Sequence, residues 1–259
     1  MNETLILARR NLEHVRQIPE KLLDVTLQPL MFVLLFAYVF GGVIAVPDGN
    51  YKEYLIGGIL VQTLAFGIMG PGVSIASDLK EGMVDRLRSL PIRRSSYLTG
   101  HLMAEQAAMT VAMAVLCAAG LVVGWRIHSS VPEAIGAFAL LELFAFVMLW
   151  LGTLAGITAR STDAVSGIVF MTVFPLTFLS NAFVPTESLP DGLRQVAEWN
   201  PVSCIVAAVR DLFGNPTAIP HDAAWPLQHS VVASLLWCGV LLAIAIPLTI
   251  RAFDRRTTD

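Results

Sequence analysis

Charge is scarce in this chain. Asp, Glu, Lys and Arg make up 14% of its 259 residues, against about 25% in an average soluble domain. With 55% of residues hydrophobic, a water-soluble fold of this length would lack the interior to hide them, so the composition points to an integral membrane protein. Cysteine is scarcer still. Cys117, Cys204 and Cys238 are odd in number and form no CxxC pair, which argues against a disulfide framework or a cysteine metal site and for small apolar residues in helices. Lysine occurs only at Lys21, Lys52 and Lys80, never after a glycine. That excludes a Walker A loop, whose lysine follows a glycine-rich phosphate cradle. The five histidines are dispersed, with none at metal-ligand spacing from an acid, and no GxSxG nucleophile elbow is present. These absences argue against a membrane protease or other hydrolase.

What the chain does have is long uncharged runs. Val25–Val46, Tyr54–Ser77, Ala164–Thr186 and Ala223–Ile250 carry no charge, while Ser95–Trp125 carries only Glu105 and Ala134–Ala159 only Glu142. About 20 apolar residues cross the roughly 30 Å of bilayer hydrocarbon. Lipid offers no partner to backbone N–H and C=O groups, so such spans are helical. The expected fold is an all-α polytopic membrane protein, a single domain over 1–259 with six transmembrane helices at about 25–46, 54–77, 97–124, 134–158, 164–184 and 230–250. With the N-terminus inside, 13 Lys and Arg fall on the cytoplasmic side and 4 (Lys52, Arg126, Arg194 and Arg210) on the outside. This positive-inside bias puts both termini in the cytoplasm. The first 24 residues are charged throughout and lack the apolar core of a secretory signal.

Between the spans the patterning changes. Residues 1–20 read as an amphipathic helix, with Leu5, Ala8, Leu12, Val15 and Ile18 on one face and Arg9, Arg10, Glu13 and Arg16 on the other. It either lies on the inner membrane surface or packs on another protein. Residues 185–229 form an outer segment. A helix from the Ser188 cap ends at Asn200-Pro201, and a second apolar stripe follows through Ile205, Val206, Val209, Leu212 and Phe213, with Arg210 and Asp211 placed opposite. Two short helices, re-entrant or interfacial, are expected there. Gly120–Gly124 and Gly152–Gly156 are GxxxG pairs that permit close helix approach, a subunit contact among the options. Glu142 lies deepest among the acids. It is protonated, or faces a polar cavity on a substrate pathway, or sits nearer the interface. Glu105 is expected to pair with basic residues at the inner surface.

The most informative stretch is 78–97, DLKEGMVDRLRSLPIRRSSY. Leu79, Met83, Leu87 and Leu90 make one stripe along a helix of about three turns. Glu81, Asp85 and Arg88 share another face, and Pro91 ends the helix. Positive-inside bias explains the arginines, but neither the interleaved acids nor the apolar stripe.

Here the residues resemble a family. Glu81-Gly82, Asp85-Arg86-Leu87 and Leu90-Pro91-Ile92 resemble the E-x-G, E-R-L and T/L-P-V/I elements of type-2 ABC exporter permeases of the daunorubicin/doxorubicin-resistance type. Gln28–Gly42 resembles their first span. Phe183–Pro185, Asn200–Ser203 and Ala207–Arg210 resemble their outer segment. Asp85 stands where the family more often has Glu, and Glu81-Gly82 is tighter than the common spacing. The resemblance implies the transmembrane subunit of an ATP-driven exporter moving a hydrophobic drug or metabolite out across the cytoplasmic membrane. The same fold exporting a lipid or lipid-linked glycan is the alternative, and a secondary transporter a more distant one. It implies two permease subunits, identical or not, and two separate ATPase subunits that bind ATP and Mg, with no cofactor on this chain. It makes 80–91 a coupling helix, with Glu81, Gly82, Asp85, Arg86, Leu87, Arg88 and Pro91 at the ATPase contact. It makes the N-terminal helix, with Arg9, Arg10 and Arg16, an interface helix. Glu142, Phe174 and Asn181 are candidates for the substrate pathway.

Overall fold

The computed structural model describes Leu27, residues 30–40, Val46, and residues 50–82 and 94–258. Among these residues every regular element is helical. In chain order they are α1 (Leu30–Val39), which widens into a π-turn over Phe36–Phe40, then α2 (Tyr51–Phe66), α3 (Met69–Lys80), α4 (Arg94–Val123), α5 (Val131–Thr158) and α6 (Thr162–Phe178). After a 3-10 turn at Thr186–Ser188 come α7 (Asp191–Trp199), α8 (Pro201–Phe213), α9 (Trp225–Gln228) and α10 (Ser230–Thr258).

Among the described residues four stretches are long and apolar enough to cross a membrane: Tyr51–Lys80, Leu98–Val123, Val131–Thr158 and Ser230–Arg255. Leu30–Val39 and Thr162–Phe178 are shorter apolar helices. The expected runs at 25–46 and 164–184 fall on these two. At 1.5 Å rise per residue α6 covers only about 26 Å, less than the hydrocarbon core. Its continuation, residues 179–184, is not helical.

α5 is the central post, packed against α2, α3, α4, α8 and α10. Its start is fixed locally. The Ser130 backbone N–H and hydroxyl both donate to Glu133 Oε2, at 2.9 and 2.8 Å, and Pro132 sits in the first turn. This arrangement satisfies N–H groups that a helix N-terminus leaves open. Along α5, Leu141, Phe144, Val147 and Leu149 are fully buried.

Span 2 is broken at Gly67–Ile68, and the cause lies four residues on. Pro71 has no N–H to give the Gly67 carbonyl, and its ring crowds the carbonyl of the residue four before it. The local bonds tighten in response: Gly67 N reaches both Thr63 O and Leu64 O at 3.1 Å, and Gly70 N reaches Gly67 O at 3.3 Å. The result is two helices, α2 before the break and α3 after it.

The glycine pairs act inside the chain. A Cβ on Gly152 would stand 2.1 Å from Ile68 O, and one on Gly156 would stand 2.4 Å from Gly72 O. Both therefore seat α5 on α3 backbone to backbone. Gly120 faces Ile56 and Trp125. Gly124, at φ +110°, takes the left-handed region at the end of α4 that glycine enters without penalty. For Gly152 and Gly156 these contacts correct the expectation of a subunit contact, because both are covered by the same chain. All three cysteines are free.

Gly152→Ala is expected to destabilise the protein by about 1–3 kcal/mol, the usual cost of overpacking, because its Cβ meets backbone. Gly167→Ala, where a Cβ meets nothing within 4 Å, should be neutral or slightly stabilising. Thermal unfolding of the two purified variants in the same detergent separates these outcomes.

Candidate functional site

The end of the bundle where α2 begins is organised by α8. Asn200 caps it, its Oδ1 accepting from Val202 N at 2.9 Å, and Pro201 occupies the first helical position. The same Asn200 side chain donates to Leu176 O at 2.7 Å and Leu179 O at 2.9 Å, carbonyls at the end of α6 that have no helical donor ahead of them. Gly214, at φ +68°, closes the helix.

Arg210 is the centre of this end. The sequence reading placed it opposite the apolar stripe of α8, among the outer-surface cations. In the structure it is fully buried. Its Nε donates to Tyr54 O at 2.8 Å, Nη1 to Asn181 O at 2.9 Å and Nη2 to Ala182 O at 2.8 Å. Its guanidinium carbon stands 3.3 Å from the centroid of the Tyr54 ring. The acceptors exist for a local reason. Residues 179–184 have left the α6 helix, so the carbonyls of Asn181 and Ala182 need donors. The Tyr54 carbonyl lies within α2 and keeps a second lone pair. A planar fork of donors fits three such acceptors, which an ammonium group does not. Tyr54 supports the same turn, its hydroxyl donating to Asn181 O at 2.7 Å, and Tyr51 donates to Phe183 O at 3.2 Å. Space is reserved by two glycines: a Cβ on Gly57 would meet Arg210 Cγ at 2.9 Å, and one on Gly58 would meet Ala182 O at 2.0 Å.

The connection after α4 is tied to the end of α8. Trp125 Nε1 donates to Asn215 Oδ1 at 2.7 Å, Asn215 Nδ2 donates to Arg126 O at 2.8 Å, and Trp125 and Phe138 both pack edge-on against Phe213. At the rim, Arg194 bridges Glu198 at 2.7 Å and Asp222 at 2.6 Å. Glu198 also accepts from Ala224 N at 2.8 Å. The hydrogen bond from Arg194 holds the Asp222 carboxyl below its ordinary range, and the two acids raise Arg194. α7 begins at Asp191 after Pro190, not at Ser188, which closes the preceding 3-10 turn.

Deeper in the membrane region, Glu142 on α5 meets Gln106 on α4. Gln106 Nε2 donates to the Glu142 backbone carbonyl at 3.1 Å and to its carboxylate. Of the alternatives for Glu142, the structure provides a polar neighbour. Among the described residues Glu105 has no cation partner. Its carboxylate lies over Gly70, where a Cβ would come within 2.6 Å of Oε2.

The other predicted residues are dispersed. Phe174 is part of an aromatic run along α6 and α1. It stacks on Phe178 at 4.3 Å, Phe178 meets Phe183 at 5.2 Å, and Phe183 stacks on Phe36 at 4.7 Å. Asn181 is buried, and it meets Arg210 and Tyr54 through its backbone carbonyl. Glu81 follows α3, its carboxylate accepting from the Ser77 hydroxyl at 3.1 Å, and Gly82 turns the chain at φ +68°. Asp85, Arg86, Leu87, Arg88 and Pro91, with Arg9, Arg10 and Arg16, lie outside the described residues.

Arg210, Tyr54 and Gln106 are the residues that the sequence reading missed. For Arg210 the signal was available: it lies four residues after Val206, only about 40° further round the helix, so it flanks the buried stripe. Only Asp211 is truly opposite.

Arg210→Ala should remove one donor from each of three carbonyls and leave Ala182 O without one among the described residues, at about 1–3 kcal/mol for the buried unsatisfied group and further loss for the other two. Tyr54→Phe, which keeps the ring and loses one hydrogen bond, should cost about 1 kcal/mol. Asp211→Asn, on the exposed face, should change nothing measurable. Melting temperatures ranked in that order would support the arrangement.

Comparison with known proteins agrees with the bundle. Residues 2–213 match the family described as ABC-2 type transporter. Over 243 residues the chain is 30% identical to the daunorubicin resistance ABC transporter permease protein DrrB1 of Streptomyces coeruleorubidus, covering 93% of this chain and 82% of that protein. It is 24% identical over 229 residues to the probable doxorubicin resistance ABC transporter permease protein DrrC of Mycobacterium tuberculosis, covering 86% of this chain and 78% of the relative. A putative transport permease, ycf38 of Porphyra purpurea, is 24% identical over 253 residues, covering 96% of this chain and 84% of the relative. With its family match extending from the N-terminal residues through the end of α8, and with its long apolar helices, this chain is a membrane protein belonging to the ABC-2 type transporter family.

Proposed function

We propose that this chain is the transmembrane subunit of an ATP-driven exporter that moves a hydrophobic drug or metabolite out across the cytoplasmic membrane. The observation that carries the reading is the likeness to a daunorubicin resistance permease over 93% of this chain and 82% of that protein. ATP and Mg bind to a separate ATPase subunit, consistent with the absence of any glycine-lysine pair from the sequence. Two permease subunits and two ATPase subunits form the working assembly. Each permease has six spans, with α1 and α6 as the shorter two and both termini in the cytoplasm.

In this reading, force enters at residues 80–91. α3 ends at Lys80, and the turn at Gly82 leads directly into that stretch. Glu81, Asp85, Arg86 and Arg88 contact the ATPase, while Leu87 and Leu90 anchor the helix to the bundle and Pro91 ends it. The N-terminal helix, with Arg9, Arg10 and Arg16, lies along the same inner surface. Closure of the ATPase pair pushes on both elements and shifts the permease pair from inward-facing to outward-facing. Glu142 and Phe174 belong to the path that substrate follows, Glu142 as its polar group and Phe174 as part of its aromatic wall.

Co-expression with a nucleotide-binding subunit, purification and reconstitution into vesicles test this directly. The expected result is copurification and vanadate-sensitive transport of an aromatic drug. Transport of lipids alone would favour the lipid-exporting alternative, and transport without a nucleotide-binding subunit would contradict the proposal. Reversing both charges, Asp85→Arg with Arg88→Glu, should lower coupled transport at least about tenfold, the effect of ~1.4 kcal/mol, with membrane insertion unchanged. Unaltered transport would contradict the docking role of these residues.

A further inference from the structure

We propose that Arg210 is a positioning residue for export: it joins α2, the 179–183 turn and α8 into one outer body, which pivots on α3 at the Gly67–Ile68 break. The inference rests on the exporter reading above and assigns the step by which movement at the inner surface reaches the outer end.

Three observations carry it. First, span 2 leads from the charged 78–97 stretch to the Arg210 cluster, with Tyr54 bonded to Arg210, and it is mechanically discontinuous. Pro71 removes one ladder bond, and Gly67 has no side chain to brace the break: a Cβ there would meet Met109 Sδ at 2.7 Å. Second, the outer half of span 2 is fastened to the outer segment and the inner half is not. Arg210 bonds Tyr54, Asn181 and Ala182, Tyr54 and Tyr51 bond the same turn, and the Ser203 hydroxyl accepts from Asn181 N at 3.2 Å. Gly58 closes the contact with Ala182 at backbone distance. Third, the inner half, α3, packs on α5 by close backbone approach at Gly72, Gly152 and Gly156 and by apolar side chains such as Ile75 against Ile157. One half is therefore clamped by a directional, desolvated cation, and the other is held to α5 by non-directional packing.

A structural role alone would make Arg210 a stability residue. A positioning role makes it the residue that decides whether α3 and the outer segment move in step. Coupling of this kind requires an element with two arrangements that both ends bias. The broken span supplies that element, and Arg210 supplies its rigid outer arm.

The test uses the assembled permease–ATPase complex in lipid nanodiscs, with spin labels on one permease chain at Lys52 and Lys80 or at Lys52 and Trp199. Between the nucleotide-free and ATP-trapped states, the Lys52–Lys80 distance should shift by a few ångströms. The Lys52–Trp199 distance, which stays within the outer body, should hold. In Arg210→Lys, which keeps the charge and loses the fork, the second distance should broaden. Drug moved per ATP should fall at least about tenfold, with complex yield and basal ATP hydrolysis retained. A wild-type Lys52–Trp199 distance that changes with ATP, an unchanged Lys52–Lys80 distance in a complex that transports drug, or Arg210→Lys exporting at full stoichiometry would each overturn the inference and leave the exporter reading intact. Failure to assemble with any ATPase and to transport would overturn both.

Discussion

One guanidinium with no carboxylate partner among the described residues joins α2, the turn after α6 and α8 at one end of this protein. Burying a cation costs several kcal/mol even after relaxation, so such a group persists only where its surroundings replace water in full. Here three carbonyls at 2.8–2.9 Å and the face of Tyr54 at 3.3 Å do so. An aromatic face adds about 2 kcal/mol when the cation is desolvated. The arrangement is mutual. Arg210 needs the carbonyls, and the non-helical turn after α6 needs a donor that reaches Asn181 and Ala182 together. Without the turn there is no site for the cation, and without the cation the turn has no place in an apolar bundle.

The same constraint explains the composition of α2. Tyr51 and Tyr54 supply ring and hydroxyl on the face that meets the turn, and Gly57 and Gly58 clear the space beside them. Half a span further in, Gly67 and Pro71 break the helix, and Gly72 begins a seam on α5. Polar bonds hold α2, while α3 packs on α5 through close glycine contacts and buried side chains such as Ile75. α5 spans both regions, apolar along its buried face, with Glu142 answered by Gln106.

The parts of this design that were legible in the sequence are those that rest on long averages. α4, α5 and α10 each contain at least 20 residues with at most one charge, and a bilayer admits only one structure for such runs. The free cysteines and the missing phosphate loop were equally plain. What was misread rests on single residues. Arg210 was assigned to the surface because arginine is rarely buried whole, although its place on the helix put it beside Val206. Gln106 carries no charge and passed unnoticed in a search for ionisable groups. The Gly152–Gly156 pair signalled close approach without naming the neighbour, which is α3 of the same chain. The break in span 2 was encoded by Gly67 and Pro71, yet an uncharged run from Tyr54 to Ser77 reads as one helix when only charge is counted. The charged stretch from 83 to 93, the feature with most to say about partners, lies outside the described residues.

The account depends on where one side chain points. A cryo-EM map of the reconstituted protein, at a resolution that resolves side chains, would decide it. The account predicts continuous density from Arg210 to the carbonyls of Tyr54, Asn181 and Ala182, with the Tyr54 ring against the guanidinium. An Arg210 side chain directed to the outer aqueous surface, or paired with a carboxylate, would contradict it.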